Sequence, residues 1–306
     1  MIVVAGEALI DLILHPDGRL AAIPGGGPYN TARTIGRLGG DVRFLGRLSD
    51  DRFGQTLARD LAVDGVDVSA IIRTEAPTTL AIAELDEGGA ATYRFHTAET
   101  AAPELTPDDV DAALATTPQA FHIGTLGLVL EPIASSLGDA VTRLGQDTLL
   151  MVDPNCRPTV IPDRQAYLAR LSPILARADV VKVSADDLAF LAPGKTALDG
   201  ARGLVRAGAR LVLLTDGARA VWLVTAGFDA ELPVPRVDVV DTVGSGDAFG
   251  GAFLAWWIEH GLGRADLADR TVVEAAARAA ISVASLTCQR PGADPPTRAE
   301  AGWVAR

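Results

Sequence analysis

The stretch DTVGSGDAFGGAFL, residues 241–254, decides the fold. It follows the apolar residues VDVV (237–240), which predict a strand, and it opens a helix with apolar residues on several sides, which predicts a buried helix. Gly244 and Gly246 permit backbone angles closed to other residues, so successive N–H groups can converge. Because the start of a helix adds unpaired N–H groups and a partial positive charge, the segment predicts an anion site that needs no lysine.

Asp247 lies at the edge of this predicted anion site. The positive potential of a helix start favours its ionised form, which could accept a proton from a hydroxyl attacking the anion. Such an arrangement fits phosphoryl transfer, in which donors hold the transferring charge and an Asp positions the nucleophile. For GSGD alone, the alternative is an ordinary strand-loop-helix connection with an N-terminal Asp. Phe249 replaces the third Gly of a Rossmann fingerprint, and the chain has no GxxxxGK[ST] motif, which excludes a Walker-type ATPase.

Composition narrows the class of protein. The 306 residues are 48% hydrophobic and 22% charged, which predicts a large buried core rather than disorder. The net charge of −12 disfavours nucleic acid and membrane surfaces as partners. The N-terminal sequence has no basic n-region, which predicts no signal peptide, and the two cysteines form no disulfide or zinc pattern. We therefore expect a cytoplasmic protein with small-molecule ligands.

Strand and helix signals alternate along most of the chain. The opening residues 2–14 predict a buried strand, interrupted at Gly6-Glu7, and Pro28 after three glycines predicts a helix start. From residue 104 onward, apolar strands alternate with helices, which predicts a mostly parallel sheet covered on both faces, a three-layer α/β/α fold. No long linker divides the chain, so we expect a single domain over residues 1–306.

Residues 71–96 depart from this alternation. TTLAIAELD and AATYRFH flank Glu87-Gly88-Gly89, a pattern that is typical of a β-hairpin. We interpret the hairpin as part of a small β-sheet lid.

Two segments resemble the signatures of the ribokinase-like, or phosphofructokinase-B type, sugar kinases. DTVGSGDAFGGAFL is similar to their Asp-Thr-x-Gly-Ala-Gly-Asp pattern, with Ser245 in place of the usual Ala. GGGPYNTARTIGRLGG (25–40) resembles their first signature, and FLGRLSDDRFG (44–54) its continuation, with Ser49 in place of a frequent Gly. The resemblance covers nearly the whole chain. It implies a ribokinase-like fold, with a lid formed by about 12–22 and 71–98.

The resemblance implies a role for each matching residue. Asp247 is expected to be the catalytic residue, beside an anion hole formed by Gly244, Ser245 and Gly246. The residues expected to bind the sugar are Asp11, Gly26, Gly27, Asn30, Asn155 and Arg157. A structural ion pair is the alternative for Arg157. The residues expected to bind ATP are Lys182, Ser184, Thr215 and Gly217.

The implied cofactors are ATP and Mg²⁺, with K⁺ as a further candidate. Asp187 stands where the family has a Glu that organises magnesium, mostly through water. Ser184 and Asp187 also have the spacing of a helix capping box, and the two roles are compatible. Asp241 is expected at a monovalent-cation site.

The implied activity is ATP-dependent phosphorylation of a primary hydroxyl of a sugar. Fructose is the expected substrate, because GEALID (6–11), DPNCRP (153–158) and the tail 286–300 resemble the fructokinase branch. One alternative is a 2-keto-3-deoxygluconate kinase, which would need a cation such as Arg157 or Arg94 for the substrate carboxylate. The others are a nucleoside kinase of the same fold and a catalytically inactive sugar-binding regulator. Lids of this family pair between subunits, which implies a homodimer.

Overall fold

A computed structural model describes residues 1–86 and 91–303 of the chain. The strands are β1 (Ile2–Ala5), β2 (Leu9–Leu14), β3 (Leu20–Gly25), β4 (Val42–Ser49), β5 (Ile71–Thr74), β6 (Leu80–Leu85), β7 (Ala91–His96), β8 (Ala120–Gly124), β9 (Leu149–Asp153), β10 (Val180–Ser184), β11 (Leu211–Thr215), β12 (Ala220–Thr225) and β13 (Asp229–Pro233). The α-helices are α1 (Gly27–Arg37), α2 (Arg52–Val63), α3 (Pro107–Leu114), α4 (Ile133–Arg143), α5 (Arg164–Arg177), α6 (Ala185–Leu191), α7 (Ala197–Ala207), α8 (Ser245–Glu259) and α9 (Arg270–Thr287).

The strands form two sheets. Within the described residues, the main sheet has nine strands in the order β13-β12-β11-β10-β9-β8-β1-β4-β5. All neighbours from β5 to β11 are parallel, whereas β12 and β13 add an antiparallel edge. The lid is a smaller sheet of strands β3-β2-β6-β7. The predicted mostly parallel α/β fold with a separate small sheet is therefore confirmed.

The central strands β1, β8, β9 and β11 are buried on both faces, which fits their almost uninterrupted apolar sequences. Side chains alternate along each strand, so Ile2 and Val4 pack on one face and Val3 and Ala5 on the other. The first face packs against helices α1, α2, α8 and α9, and the second against α3 to α7. Helix α8 is buried along most of its length, as its apolar composition predicts. Within the described part of the chain, no helix combines the length and hydropathy that crossing a membrane requires.

The opening segment is two strands rather than one. Strand β1 belongs to the main sheet and β2 to the lid, and the chain turns between them at Gly6. A Cβ atom at Gly6 would lie 2.4 Å from Cγ of Pro28, so helix α1 packs where a longer strand would need a side chain. The prediction of a single strand over 2–14 was wrong, because apolar runs of two different sheets follow each other directly.

Two further predictions were wrong in their boundaries. Residues 237–240 form no strand, and Val239 and Val240 are 58% and 63% exposed. The last strand, β13, ends at Pro233, which has no N–H to donate to a ladder. Residues 71–74 form β5 at the edge of the main sheet, so they are not part of the lid.

The lid itself consists of two antiparallel pairs joined in parallel through β2 and β6. Its strands β6 and β7 form the predicted hairpin, and the predicted turn Glu87-Gly88-Gly89 lies outside the described residues. The first part of the lid, predicted over about 12–22, is the hairpin of β2 and β3. These strands place Asp11 and the aromatic residues of β7 over the carboxyl ends of the main-sheet strands.

A buried carboxylate lies at the amino ends of the central strands β9 and β10, away from the lid. Asp179 is fully buried just before β10 and accepts a hydrogen bond from the Leu150 amide at 2.9 Å. Its oxygens also lie 2.6 Å from Nε of Arg264, 3.2 Å from Nε of Arg210 and 3.3 Å from Nη1 of Arg177. Removing the carboxylate would leave several guanidinium groups without their anion, a costly change in a buried network.

We expect Asp179→Ala to lower the free energy of unfolding by about 3–5 kcal/mol, measured by urea unfolding. The matched control is Asp111→Ala, because Asp111 forms an ion pair with Arg143 in which both side chains are at least half exposed. The control should cost about 0–1 kcal/mol. Equal losses for the two variants would contradict this interpretation.

Candidate active site

A cleft of about 770 Å³ lies at the carboxyl ends of β1, β8, β9, β10 and β11, on the side of the main sheet that the lid covers. Open α/β sheets bind ligands at this edge. All residues predicted for catalysis, sugar binding or ATP binding line this cleft, namely Asp11, Gly26, Gly27, Asn30, Asn155, Arg157, Lys182, Ser184, Thr215, Gly217, Gly244, Ser245, Gly246 and Asp247. The fold therefore brings together residues that are as far apart in the sequence as Asp11 and Asp247.

Asp247 lies in the first turn of α8 and faces the start of α1. Its Oδ2 accepts a hydrogen bond of 2.9 Å from Nδ2 of Asn30. Asn30 was predicted to contact the sugar, but the structure shows that its amide group orients the candidate catalytic carboxylate. The Oδ1 atom of Asn30 is buried and, among the described residues, has no hydrogen-bond partner. It remains free to accept a hydrogen bond from a ligand hydroxyl.

The helix start beside Asp247 offers open amides. Gly244 has φ 73°, a left-handed conformation that favours glycine, and a Cβ atom there would lie 2.4 Å from Cβ of Ala293. The first helical hydrogen bond runs from the Ala248 amide to the Gly244 carbonyl, so the amides of Gly246 and Asp247 precede it. These two N–H groups and the helix dipole could hold an anion, and the anion-binding role of Gly244, Ser245 and Gly246 stays a prediction.

Ser245 is used differently from the prediction. Its amide and its hydroxyl both donate to the carbonyl of Thr242, at 3.2 and 2.9 Å. The serine therefore stabilises the loop that precedes the helix, and the open amides belong to the next two residues.

Lys182, which was predicted to bind ATP, lies directly beneath the start of α8. The Nζ atom of Lys182 on β10 would be 2.8 Å from a Cβ atom at Gly246. The ammonium donates a hydrogen bond of 2.8 Å to Oδ2 of Asp153, at the end of the neighbouring strand β9. Burial alone would lower the pKa of Lys182, but the carboxylates of Asp153 and Asp247 outweigh burial and raise it. The lysine is therefore charged.

The lid end of the cleft contains Asp11 of β2. Burial raises the pKa of Asp11 to about 6, and the nearby Arg157 guanidinium opposes this shift. Arg157 also donates from Nη1 to the carbonyl and the Oδ1 of Asn155, at 3.2 and 2.7 Å. The guanidinium thus orders its own loop while it faces Asp11 across the cleft.

Two residues at the strand ends adopt left-handed backbone conformations. Asn155 after β9 has φ 39° and Thr125 after β8 has φ 50°, both uncommon for residues other than glycine. They are joined by a hydrogen bond of 3.2 Å from Nδ2 of Asn155 to Oγ1 of Thr125. A Cβ atom at Gly27 would lie 2.3 Å from that hydroxyl oxygen, so the glycine allows α1 to begin against this pair. The predicted sugar-facing turn is therefore tightly packed.

Glu7 is a buried cleft residue that sequence reasoning missed. Its two oxygens accept hydrogen bonds from the amides of Gly27 and Gly127, each at 3.2 Å. Burial raises the pKa of Glu7 to about 8, and Asp247 adds to the shift. The sequence signal was present, because a charged residue between apolar runs is seldom buried without a specific role.

The end of the cleft that is predicted to hold ATP is formed by the ends of β10 and β11. Thr215 ends β11, and the turn that follows contains Gly217 with φ 54°. Ser184 ends β10 and caps α6, since its hydroxyl accepts from the Asp187 amide at 3.0 Å. These residues line the cleft on the side away from the lid strands.

The two predicted metal residues lie outside the cleft lining. Asp187 completes the predicted capping box: its Oδ2 accepts from the amide and hydroxyl of Ser184, and its Oδ1 from the Cys156 amide. Asp241 accepts from the amides of Val243 and Gly292, which attaches the tail to the loop before α8. Among residues 1–86 and 91–303, no group of three or more His, Cys, Asp or Glu side chains is arranged to hold a metal ion. The metal roles of both aspartates stay predictions.

The alternative cation for an acidic substrate, Arg94, does not line the cleft. Tyr93 and Phe95, its neighbours on β7, line it instead, because side chains alternate along a strand. The Arg94 side chain is 68% exposed, and its Nε atom lies 3.5 Å from Oε1 of Glu84.

Comparison with known proteins agrees with this geometry. The sequence profile described as pfkB family carbohydrate kinase matches residues 1–300. The chain belongs to this family. A probable fructokinase of Arabidopsis thaliana is 33% identical to this sugar kinase, over 98% of the chain and 95% of the relative.

Solved structures of relatives share the whole fold. A fructokinase from Xylella fastidiosa, solved with bound ATP, superimposes with a TM-score of 0.90 at 31% identity, over 98% of this chain and 96% of that one. A fructokinase from Vibrio cholerae, solved with fructose, ADP and calcium ion, has a TM-score of 0.82 at 26% identity, over 95% and 94% of the two chains. The predicted sugar-kinase family is therefore confirmed.

The pH dependence of the sugar kinase reaction should report the ionisation of Asp247. Burial raises its pKa to about 7, against the lowering effects of Lys182 and of the hydrogen bond from Asn30. Because only the ionised carboxylate accepts a proton, kcat/KM should rise about tenfold per pH unit below pH 7 and then level off. Asn30→Ala removes a hydrogen-bond donor to the ionised Asp247 carboxylate and so raises its pKa. The rising part of the kcat/KM profile should therefore move to higher pH. A wild-type profile that is flat from pH 5.5 to 8 would contradict the assignment.

Proposed function

We propose that this protein is an ATP-dependent fructokinase, which transfers the γ-phosphoryl group of ATP to the primary hydroxyl of fructose and forms fructose 6-phosphate. The observation that carries the proposal is the position of Asp247. It lies beside the open amides of α8, accepts a hydrogen bond from Asn30, and faces the same cleft as Asp11 of the lid. A phosphoryl group on the amides and a sugar held by the lid would meet at this carboxylate.

In the proposed reaction, Asp247 accepts the proton of the attacking hydroxyl. The hydroxyl oxygen then forms its bond to the γ-phosphorus as the bond from that phosphorus to the β,γ-bridging oxygen breaks, and ADP leaves with the bonding electrons. The amides of Gly246 and Asp247 hold the charge of the transferring group. Asp11, with Gly26, Gly27, Asn30, Asn155 and Arg157, is proposed to hold the sugar, and Lys182, Ser184, Thr215 and Gly217 to hold ATP.

Magnesium is proposed as the cofactor of the bound nucleotide. Mg²⁺ usually keeps several waters and binds through substrate phosphates with few protein carboxylates, which fits a cleft without a preformed metal cluster in the described residues. When bound, it would neutralise part of the phosphate charge. Asp187 would act on it through water, and Asp241 is proposed for a monovalent cation, K⁺.

Charge favours fructose over a keto acid. Asp11 and Asp247 face the region proposed for the sugar, and a substrate carboxylate there would meet like charges. Arg157 is the available cation, but its Nη1 already donates to Asn155 and to the Cys156 carbonyl. The curated and solved relatives named fructokinase support the same choice.

We further propose a cytoplasmic homodimer that pairs through its lid. Both cysteines are free, which is typical of a reducing compartment. Leu14 and Leu20 on the lid hairpin β2–β3 are 39% and 63% exposed, and such apolar side chains would be covered in a pair of lids.

An ADP-release assay with ATP and magnesium tests the proposed substrate. We expect kcat/KM for fructose to exceed that for 2-keto-3-deoxygluconate and for ribonucleosides by at least about tenfold. Asp247→Asn should lower kcat by roughly 10²–10⁴ with little change in the affinity for fructose, because the substitution keeps the shape and removes the base. A higher kcat/KM for the keto acid or a nucleoside would reject fructose, and an Asp247→Asn variant as fast as the wild type would remove Asp247 from the mechanism.

A further inference from the structure

Lys182 places a buried ammonium group at the floor of the cleft. The chain has only one other lysine, Lys195, which is exposed. The Lys182 side chain is 5% exposed, and its Nζ atom would be 2.8 Å from a Cβ atom at Gly246. A side chain at residue 246 would require the ammonium to move.

The hydrogen bonds of the ammonium are incomplete within the protein. In the described part of the chain it donates one hydrogen bond, to Oδ2 of Asp153, although an ammonium carries three N–H donors. The Oδ1 atom of Asp153 is also buried, and the described residues give it no partner. A buried charge with unused donors is costly unless a ligand completes its shell. The unused N–H donors of Lys182 lie where an anion bound to the α8 amides could accept hydrogen bonds from them.

The carboxylates around Lys182 support its protonated form. Asp153 faces it from β9, Asp247 from α8 and Asp187 from α6, and these carboxylates hold its pKa above the usual value against the effect of burial. His122 of β8 is also close, and burial together with Lys182 lowers the histidine pKa to about 3, so the imidazole is neutral. Lys182 is therefore the buried positive charge of this cluster, and the exposed Arg157 acts on Asp153 and Asp247 as a second one.

We propose that Lys182 donates a hydrogen bond to an oxygen of the transferring γ-phosphoryl group from below the anion site, and that Asp153 is the positioning residue that holds the ammonium there. This inference rests on the proposed phosphoryl transfer from ATP and names the phosphoryl group that the lysine touches. The amides of Gly246 and Asp247 hold the phosphoryl group from one side, and the ammonium of Lys182 holds it from another. The charge that develops on the phosphoryl oxygens then meets a fixed cation in a site shielded from water.

A purely structural ion pair is the alternative interpretation. Such a pair would use both partners fully within the protein, whereas Lys182 and Asp153 each have unused hydrogen-bonding capacity at the cleft. The two interpretations differ in their effect on nucleotide affinity. Removing a purely structural pair would lower the stability of the protein. Removing a contact with the γ-phosphoryl group would weaken the binding of ATP relative to that of ADP.

The test compares Lys182→Met with Lys195→Met, the matched control at the only other lysine. Calorimetric titration with ADP and with a non-hydrolysable ATP analogue gives the ratio of the two affinities. We expect Lys182→Met to weaken binding of the analogue about tenfold more than binding of ADP and to lower kcat by about 10²–10³, with the KM for the sugar within about threefold. Lys195→Met should match the wild type in every measurement.

Asp153→Asn tests the positioning role. It should lower kcat by about tenfold alone, and it should cost nothing further in a Lys182→Met background, because Asp153 acts only through the lysine. The double variant Lys182→Met/Asp153→Asn also removes both charges of the pair, so it remains informative if the single lysine variant does not fold. A further loss of kcat in the double variant would reject the positioning role.

Nucleotide binding separates this inference from the proposed function. If Lys182→Met, or the double variant, has the same ratio of ATP-analogue affinity to ADP affinity as the wild type, the γ-phosphoryl contact is overturned even if fructose is the substrate. A wild-type protein that phosphorylates no sugar would reject the proposed function, while an altered affinity ratio would still support the contact.

Discussion

The hydrogen bond from Asn30 to Asp247 joins two glycine-rich helix starts that are 217 residues apart in the sequence. It requires α1 and α8 to pack closely, and Gly251 allows this, since a Cβ atom there would lie 2.8 Å from the Thr31 carbonyl oxygen. Because both helices begin at the carboxyl ends of the main-sheet strands, their first turns face one cleft. The position of the carboxylate and of the open amides follows from this packing, whereas the lid sheet places Asp11 over the same cleft.

Electrostatics explain how an acidic protein can hold a polyphosphate. The net charge of −12 repels anions at long range, so attraction must come from local groups. Backbone amides at the start of α8 supply part of it, and the ammonium of Lys182 lies beneath them. The ammonium of Lys182 also opposes the effect of burial on Asp247, whose pKa lies at about 7. The anion site and the base are therefore coupled through their charges.

Local patterns in the sequence predicted the mostly parallel fold and the glycine-rich helix start at Asp247, because glycine, helix-start and apolar-strand signals are local. Asp11 and most other cleft residues were assigned to the same site by the resemblance to the phosphofructokinase-B type sugar kinases, and the structure places them on one cleft. The sequence did not reveal that Asn30 orients Asp247, because this contact depends on the packing of two helices. It also did not reveal the pair of Lys182 and Asp153, which depends on the order of β9 and β10 in the sheet. Glu7 was missed because the apolar residues around it resembled one continuous strand.

The central claim is that Asp247 accepts the proton of the sugar hydroxyl that attacks a phosphoryl group held by the start of α8. A crystal structure with fructose and a non-hydrolysable ATP analogue measures this most directly. The account predicts the primary hydroxyl oxygen of fructose within about 3 Å of an Asp247 oxygen and in line with the γ-phosphorus, whose oxygens accept from the Gly246 and Asp247 amides. A sugar whose primary hydroxyl faces another side chain, or a γ-phosphate bound away from α8, would contradict it.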